Sequence, residues 1–162
     1  MSYCLMLQML QRLHIFKQRM DLTMCKEKAF KEVLTIKVEI TAVDEVLGRG
    51  KTVRMIHFGG SVDCDNFKGI ILPGGVDTQK DFEGESFKLS ARYILEGEDR
   101  EGKKCRIFVE NNGEGFDPNG ENYTMPTIVT DSEALAYLEN ANLKGTIEPW
   151  EKGVIIHILS CD

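Results

Sequence analysis

The run Pro73-Gly74-Gly75-Val76 leads into three polar residues, Asp77, Thr78 and Gln79. Polar groups held behind a rigid turn can face a cavity. A carboxylate partly buried there has a raised pKa and can take up a proton as a general base. The structural alternative is that Asp77 accepts backbone N–H groups of its own turn. Arg92 is the cation that could complete such a site. Turned toward Asp77, it would form an anion or carboxylate clamp. The same two residues could instead make a structural ion pair. Asn111 stands beside Glu110 before Asn112-Gly113, where its side chain could cap a turn.

Other residues carry less. His57 and His157 each stand alone among strand residues and read as structural histidines. No metal-ligand spacing surrounds them, and neither a metal nor an organic cofactor is expected. Five cysteines, at positions 4, 25, 64, 105 and 161, cannot all pair within one chain. None stands at C-x-x-C spacing, so reduced, partly buried thiols are expected. Gly48-Arg49-Gly50-Lys51-Thr52 resembles a phosphate loop only in part, because Glu45 stands where the first glycine belongs. No G-x-S-x-G segment anchors a hydrolase triad.

A net charge of -6, with no basic block, argues against a nucleic-acid partner. The chain has 162 residues, 42% hydrophobic and 28% charged. That suits one globular domain with a sizeable core. No apolar run reaches the roughly 18 residues of a membrane span, and no secretory signal is evident. A cytoplasmic location follows as the expectation. Residues 1–25 read as a leader forming a short helix, with Leu5, Met6, Met9, Leu10 and Leu13 on one face. Met20 and Met24 offer alternative starts. Residues 26–162 read as the domain.

The elements that must position these residues are mostly strands. Leu34, Ile36, Val38 and Ile40 alternate with polar residues from Lys31 onward. Thr41–Gly50 reads as a connection. KTVRMIHF is β-rich and closed by Gly59 and Gly60, where the chain is expected to bend. SVDCDNFKGIIL is one bent strand or two short ones. FKLSARYILEGED carries an apolar row of Phe87, Leu89, Ala91, Tyr93 and Leu95 opposite Lys88, Ser90, Arg92 and Glu96. That alternation turns Arg92 to solvent or a partner unless the pocket side is polar. KKCRIFVENNG is the return strand of a hairpin, ending at the turn pair Asn112-Gly113. Pro126 belongs at an edge or strand end. Thr130 with Glu133 forms a capping box for one short helix ending near Ala141. LKGTIEP and GVIIHILS make a last hairpin. Six to eight short antiparallel strands without strand–helix alternation argue for a barrel, closed or nearly so, over a doubly wound sheet. A sandwich is the other option.

Several of these stretches together resemble one family. They are LTIKVEI, RMIHFGGSV, ILPGGVDTQ, ARYILEGED, CRIFVENNG and KGTIEPWEKGVIIHIL. From Lys31 to the C-terminus the chain is similar to the domain-of-unknown-function family 3237. The resemblance implies a mainly β, antiparallel, calycin-like barrel. Its glycine pair matches Gly59 and Gly60. Its L-P-G-G-x-D segment matches Leu72 to Gly75 and Asp77. Gln79, the step Ala91-Arg92-Tyr93, and Asn111 with Gly113 also match. The family's usual tryptophan after the aspartate is Thr78 here.

Three functions are therefore expected in order. The first is a barrel binding a small, partly apolar organic molecule near the Pro-Gly-Gly-Val-Asp turn, through Gly75, Thr78, Gln79, Tyr93 and Asn111. The second is a small acid–base enzyme, an isomerase, cyclase or lyase, with Asp77 and Arg92 catalytic. The third is a structural or oligomer-forming domain whose barrel is filled by Phe87, Leu89 and Ile107. A homo-oligomer is compatible with all three.

Overall fold

The apolar alternation that starts at Lys31 runs further than its spacing suggests. In the structure, a computed structural model describing residues 30–115 and 122–161, strand β1 spans Lys31–Gly48. Its ladder with β2 (Lys51–Asp63) shifts register between Ile40 and Ala42. That bulge moves the inward side chains from even to odd positions, so Val43 and Leu47 continue the row of Val38 and Ile40. The segment expected to be a connection is therefore strand, and only Arg49-Gly50 turns.

Strand β2 continues through Gly59 and Gly60 without ending there. Gly60 has φ 144°, and a Cβ on it would collide with the Lys37 carbonyl of β1. The glycine admits close backbone approach between two strands. SVDCDNFKGIIL is two strands: the end of β2, then β3 (Phe67–Ile71) after a tight turn with Cys64 N–H donating to Phe67 O. Strand β4 (Gly75–Phe82) pairs with β2 and with β5 (Lys88–Asp99). Asp77, Thr78 and Gln79 thus lie inside a strand, not in a turn. They escaped the periodicity reading because polar side chains occupy both faces.

Strand β5 and β6 (Lys104–Glu114) form the expected hairpin. The turn expected after it at Asn112-Gly113 is not formed, because β6 continues to Glu114. Strand β7 (Met125–Thr130) pairs with β6 at one end of the ladder path, which tolerates Pro126. The helix Glu133–Glu139 is 3-10, and Ser132 precedes it without a side-chain cap. Thr130 does not cap it: its hydroxyl donates to Arg106 O and accepts from Ser132 N–H. Strands β8 (Asn142–Trp150) and β9 (Gly153–Cys161) make the last hairpin, and β9 returns to β1.

The path runs β7-β6-β5-β3-β2-β1-β9-β8, and all its pairings are antiparallel. No continuous ladder joins β7 to β8. The two ends meet at one bridge, where Thr124 and Gly145 exchange N–H···O bonds of 2.8 and 2.9 Å.

The inner face of the sheet carries the core. Leu34, Ile36, Phe67, Leu95, Ile107 and Ile158 are fully buried there. Leu135 and Leu138 of the 3-10 helix join them and cover one end. Asp99 ties the end together, accepting from Ser132 Oγ at 2.6 Å and from the Glu101 and Lys103 N–H groups. The helix expected over residues 1–25 lies outside the described residues. No helix among the described residues is long and apolar enough to cross a membrane. Cys64 and Cys105 are free thiols, but Cys161 is disulfide-bonded, which corrects the expectation of reduced thiols at that position.

Candidate functional site

Cross-strand register decides which polar residues share a face. Residues directly opposite in an antiparallel ladder point the same way, and i and i+2 on one strand do so too. Ala91 and Tyr93 are buried, so their face of β5 is the inner one. Asp77 is opposite Ala91, and Gln79 is opposite Leu89. Asn111 is opposite Ala91 from the other side. Asp77, Gln79, Tyr93 and Asn111 therefore face inward together, with Gly75 on the same row system. Gly75 has no room for a side chain, since a Cβ would sit 2.9 Å from the Phe58 ring. That ring packs edge-on to Tyr93 with centroids 5.5 Å apart.

The same register separates Thr78 and Arg92 from this group. Thr78 is opposite Ser90, and Arg92 is opposite Val76 and Glu110. Both face outward. Arg92 Nε donates to Glu110 Oε2 at 3.1 Å, and Asn112 Nδ2 donates to Glu110 Oε1 at 3.0 Å. These bonds, that of Asn112 first, hold the Glu110 carboxyl below its ordinary pKa. The clamp of Asp77 with Arg92 is thus not formed, because the strand alternation puts a sheet between them. Thr78, Ser90, Arg92, Glu110, Asn112 and Thr127 line an outer depression of about 590 Å³ instead.

Inside, several buried polar atoms have no protein partner. They include Asp77 Oδ1, Tyr93 OH, Asn111 Oδ1 and Thr124 Oγ1, from β4, β5, β6 and the residue preceding β7, and Ser160 Oγ of β9. Leaving a buried polar atom unpaired costs about 1–3 kcal/mol. Four on one inner surface mark a place built to meet something polar. The other oxygen of Asp77, Oδ2, accepts from Gln79 Nε2 at 2.8 Å. Burial raises the Asp77 pKa, against the lowering by Gln79 and by a backbone bond from Ser90. Burial also raises that of Tyr93, so its phenol stays protonated and can donate. Asn111 caps no turn; it is 1% exposed within β6.

Thr124 went unread in the sequence, as did Arg54. Thr124 reaches the site only through the bridge to Gly145, a pairing without a local signal. Arg54 is opposite Gln79 on β2 and therefore shares the inner face, but its guanidinium is held by Glu45 of β1. His57 pairs with Asp44 at 3.0 Å, and His157 with Glu32 at 2.8 Å. Both are structural pairs on the sheet's outer parts. The Glu32 bond raises the His157 pKa. No group of three metal-ligating side chains occurs among the described residues.

Known proteins of similar sequence and shape agree on the fold. The profile of a family described as a protein of unknown function (DUF3237) matches residues 28–119. A UPF0311 protein of Clostridium acetobutylicum is 31% identical over 142 residues, covering 75% of this chain and 86% of that protein. The crystal structure of a beta-barrel like protein from Acinetobacter baumannii superposes with a TM-score of 0.65 at 19% identity, covering 82% of this chain and 94% of that one. That of an enzyme from Penicillium herquei gives a TM-score of 0.62 at 15% identity, over 83% and 95%. At these identities the two structures speak to the fold alone.

Proposed function

The chain belongs to the DUF3237 family of proteins of unknown function, and from that premise we propose that it is a barrel-like receptor for a small, partly apolar organic molecule. One observation carries the reading: the unpartnered buried atoms of Asp77, Tyr93, Asn111 and Thr124 share an inner surface beside apolar side chains. Few polar groups among apolar walls is the usual make-up of a small-molecule site. Gln79 positions Asp77 by fixing one carboxylate oxygen. Thr78 and Arg92 take no part, since they face outward.

The test is extraction. Protein purified without organic solvent is denatured, and the released small molecules are identified by mass spectrometry. A compound released from the wild type and absent from Asp77→Ala supports the reading. The same compounds, or none, from both proteins would overturn it.

A second reading is favoured by the position of Asp77. A carboxylate with a burial-raised pKa is suited to general acid–base work. A structural relative is described as an enzyme. In that reading Asp77 moves the proton, and the Tyr93 hydroxyl and Asn111, rather than Arg92, meet the developing charge.

A further inference from the structure

We propose that the outer depression is a second binding site, which takes the oxyanion of a small organic acid or phosphate ester against Lys80 and Lys88. It lies on the opposite side of the sheet from Asp77 and does not rest on the reading of the inner surface.

Three cross-strand rows build it. Thr78, Ser90 and Asn112 stand opposite one another on β4, β5 and β6. Two residues along the strands in one direction come Lys80, Lys88 and Glu114, and in the other Arg92 and Glu110. Side chains two apart on a strand share a face, at a spacing of roughly 6.8 Å. The middle row is short and half-buried, whereas Lys80, Lys88 and Arg92 are long and exposed. Long side chains around short ones leave a hollow. All eight residues line it, and its volume of about 590 Å³ falls within the roughly 300–1,000 Å³ of small-molecule sites. Ser90 Oγ, in the middle row, has no hydrogen-bond partner.

The charges in the flanking rows name the ligand. Lys80 is directly opposite Lys88. Like charges so placed destabilise a sheet. Among the described residues neither lysine has an ion-pair partner. Glu114 follows Lys88 in the row without pairing to it, so two lysines stand against one carboxylate. Glu110 does not redress the balance, because Arg92 and Asn112 occupy its two carboxylate oxygens. Arg92 uses Nε for that bond, which leaves the terminal nitrogens of its guanidinium as further donors. An oxyanion between the opposed ammonium groups removes their repulsion and gains charge-assisted hydrogen bonds. A neutral or cationic ligand gains neither.

The experiment is calorimetric titration of the full chain at low salt with phenyl phosphate, benzoate and benzamide, which share a ring and differ in charge. At least one of the two anions is expected to bind about tenfold or more tightly than benzamide, and to lose that advantage in high salt. A lead for phenyl phosphate identifies a phosphate ester as the ligand class, and equal binding of the two anions a carboxylate. The double variant Lys80→Gln/Lys88→Gln is expected to bring the ratio of anion to benzamide to about one. Asp77→Asn is expected to leave the ratio unchanged. Both lysines are exposed, so the double variant is expected to keep the wild-type Tm. Amide NMR shifts in the wild type carry the same test without any variant, and are expected at Thr78, Ser90 and Asn112. No preference for either anion, a preference that survives loss of both lysines, or shifts confined to other strands would each overturn the proposal. A preference abolished by Asp77→Asn would place the anion on the inner surface and overturn it as well. The extraction comparison with Asp77→Ala reads the inner site independently of all these outcomes.

Discussion

Asp77 is held in the fold at a cost that depends on pH. Burial raises its pKa above the unfolded value. The folded state then keeps a proton that the unfolded state has released. Stability therefore falls as pH rises from the ordinary aspartate range through the folded pKa, and the loss persists above it. Asp77→Asn removes the charge and keeps the bond from Gln79. It is expected to raise the Tm by roughly 2–4 °C at pH 7, a scale set by about 1 kcal/mol in a domain of this size. The gain is expected to vanish near pH 3, where both states of the wild type are protonated. Melting curves at the two pH values decide the matter, and an equal gain at both would mean that charge burial is not the cause. Arg92 teaches the complementary lesson. Its alternation with Ala91 and Tyr93 is legible in the sequence and turns it outward, away from Asp77.

Among the elements, β1 and β2 set the geometry of the inner face. Their bulge after Ile40 changes the phase of the strand, which is why the apolar alternation seemed to end there. The close approach at Gly60 lets the two strands stay paired along the ladder. Gly60→Ala must push back the Lys37 carbonyl and hold alanine at φ 144°. A cost of about 2–4 kcal/mol in urea-induced unfolding is expected. Gly59 has open space where a side chain would go, so Gly59→Ala is the control and should cost far less. If the two variants lose equal stability, the contact with Lys37 is not what demands the glycine. The helix shows the limits of a capping motif. Thr130 and Glu133 stood at the right spacing, yet Thr130 serves strand β7 by bonding Arg106 O.

At the scale of the whole molecule, one seam decides how far the sheet closes. Among the described residues, the ends of the path are bridged where Thr124 faces Gly145. A Cβ on Gly145 would strike Thr124 Oγ1 and come within 3.4 Å of the Asn111 amide. The seam and the polar surface are therefore one structure. Gly145→Ala is expected to cost about 1–3 kcal/mol from overpacking. In a Thr124→Ala background most of that cost should disappear, a coupling of about 0.5–3 kcal/mol in a double-mutant cycle. Strictly additive losses would mean that the seam tolerates the methyl group without involving Thr124. Leu135 and Leu138 of the 3-10 helix belong to the core. They thus pack one end for stability, while Asp77, Tyr93, Asn111 and Thr124 bring unsatisfied polar atoms to the inner face.

The chain by itself determined the kind of fold. Alternation in Leu34 to Ile40 and in Leu89 to Leu95, the two hairpins and the absence of strand–helix repeats all follow from local side-chain period. The family segment around Leu72 to Gln79 contains Asp77 and Gln79, which local spacing put behind a turn and the structure puts within β4. Which of those residues meet was decided by tertiary structure. Asp77 and Asn111 are separated by 34 positions yet flank the same alanine, because register pairs both with Ala91. Thr78 and Arg92 are their sequence neighbours and lie on the far side of the sheet. Local spacing encodes which face alternates with which, but only the ladder pairings and the bridge at Thr124 determine which strands share an interior.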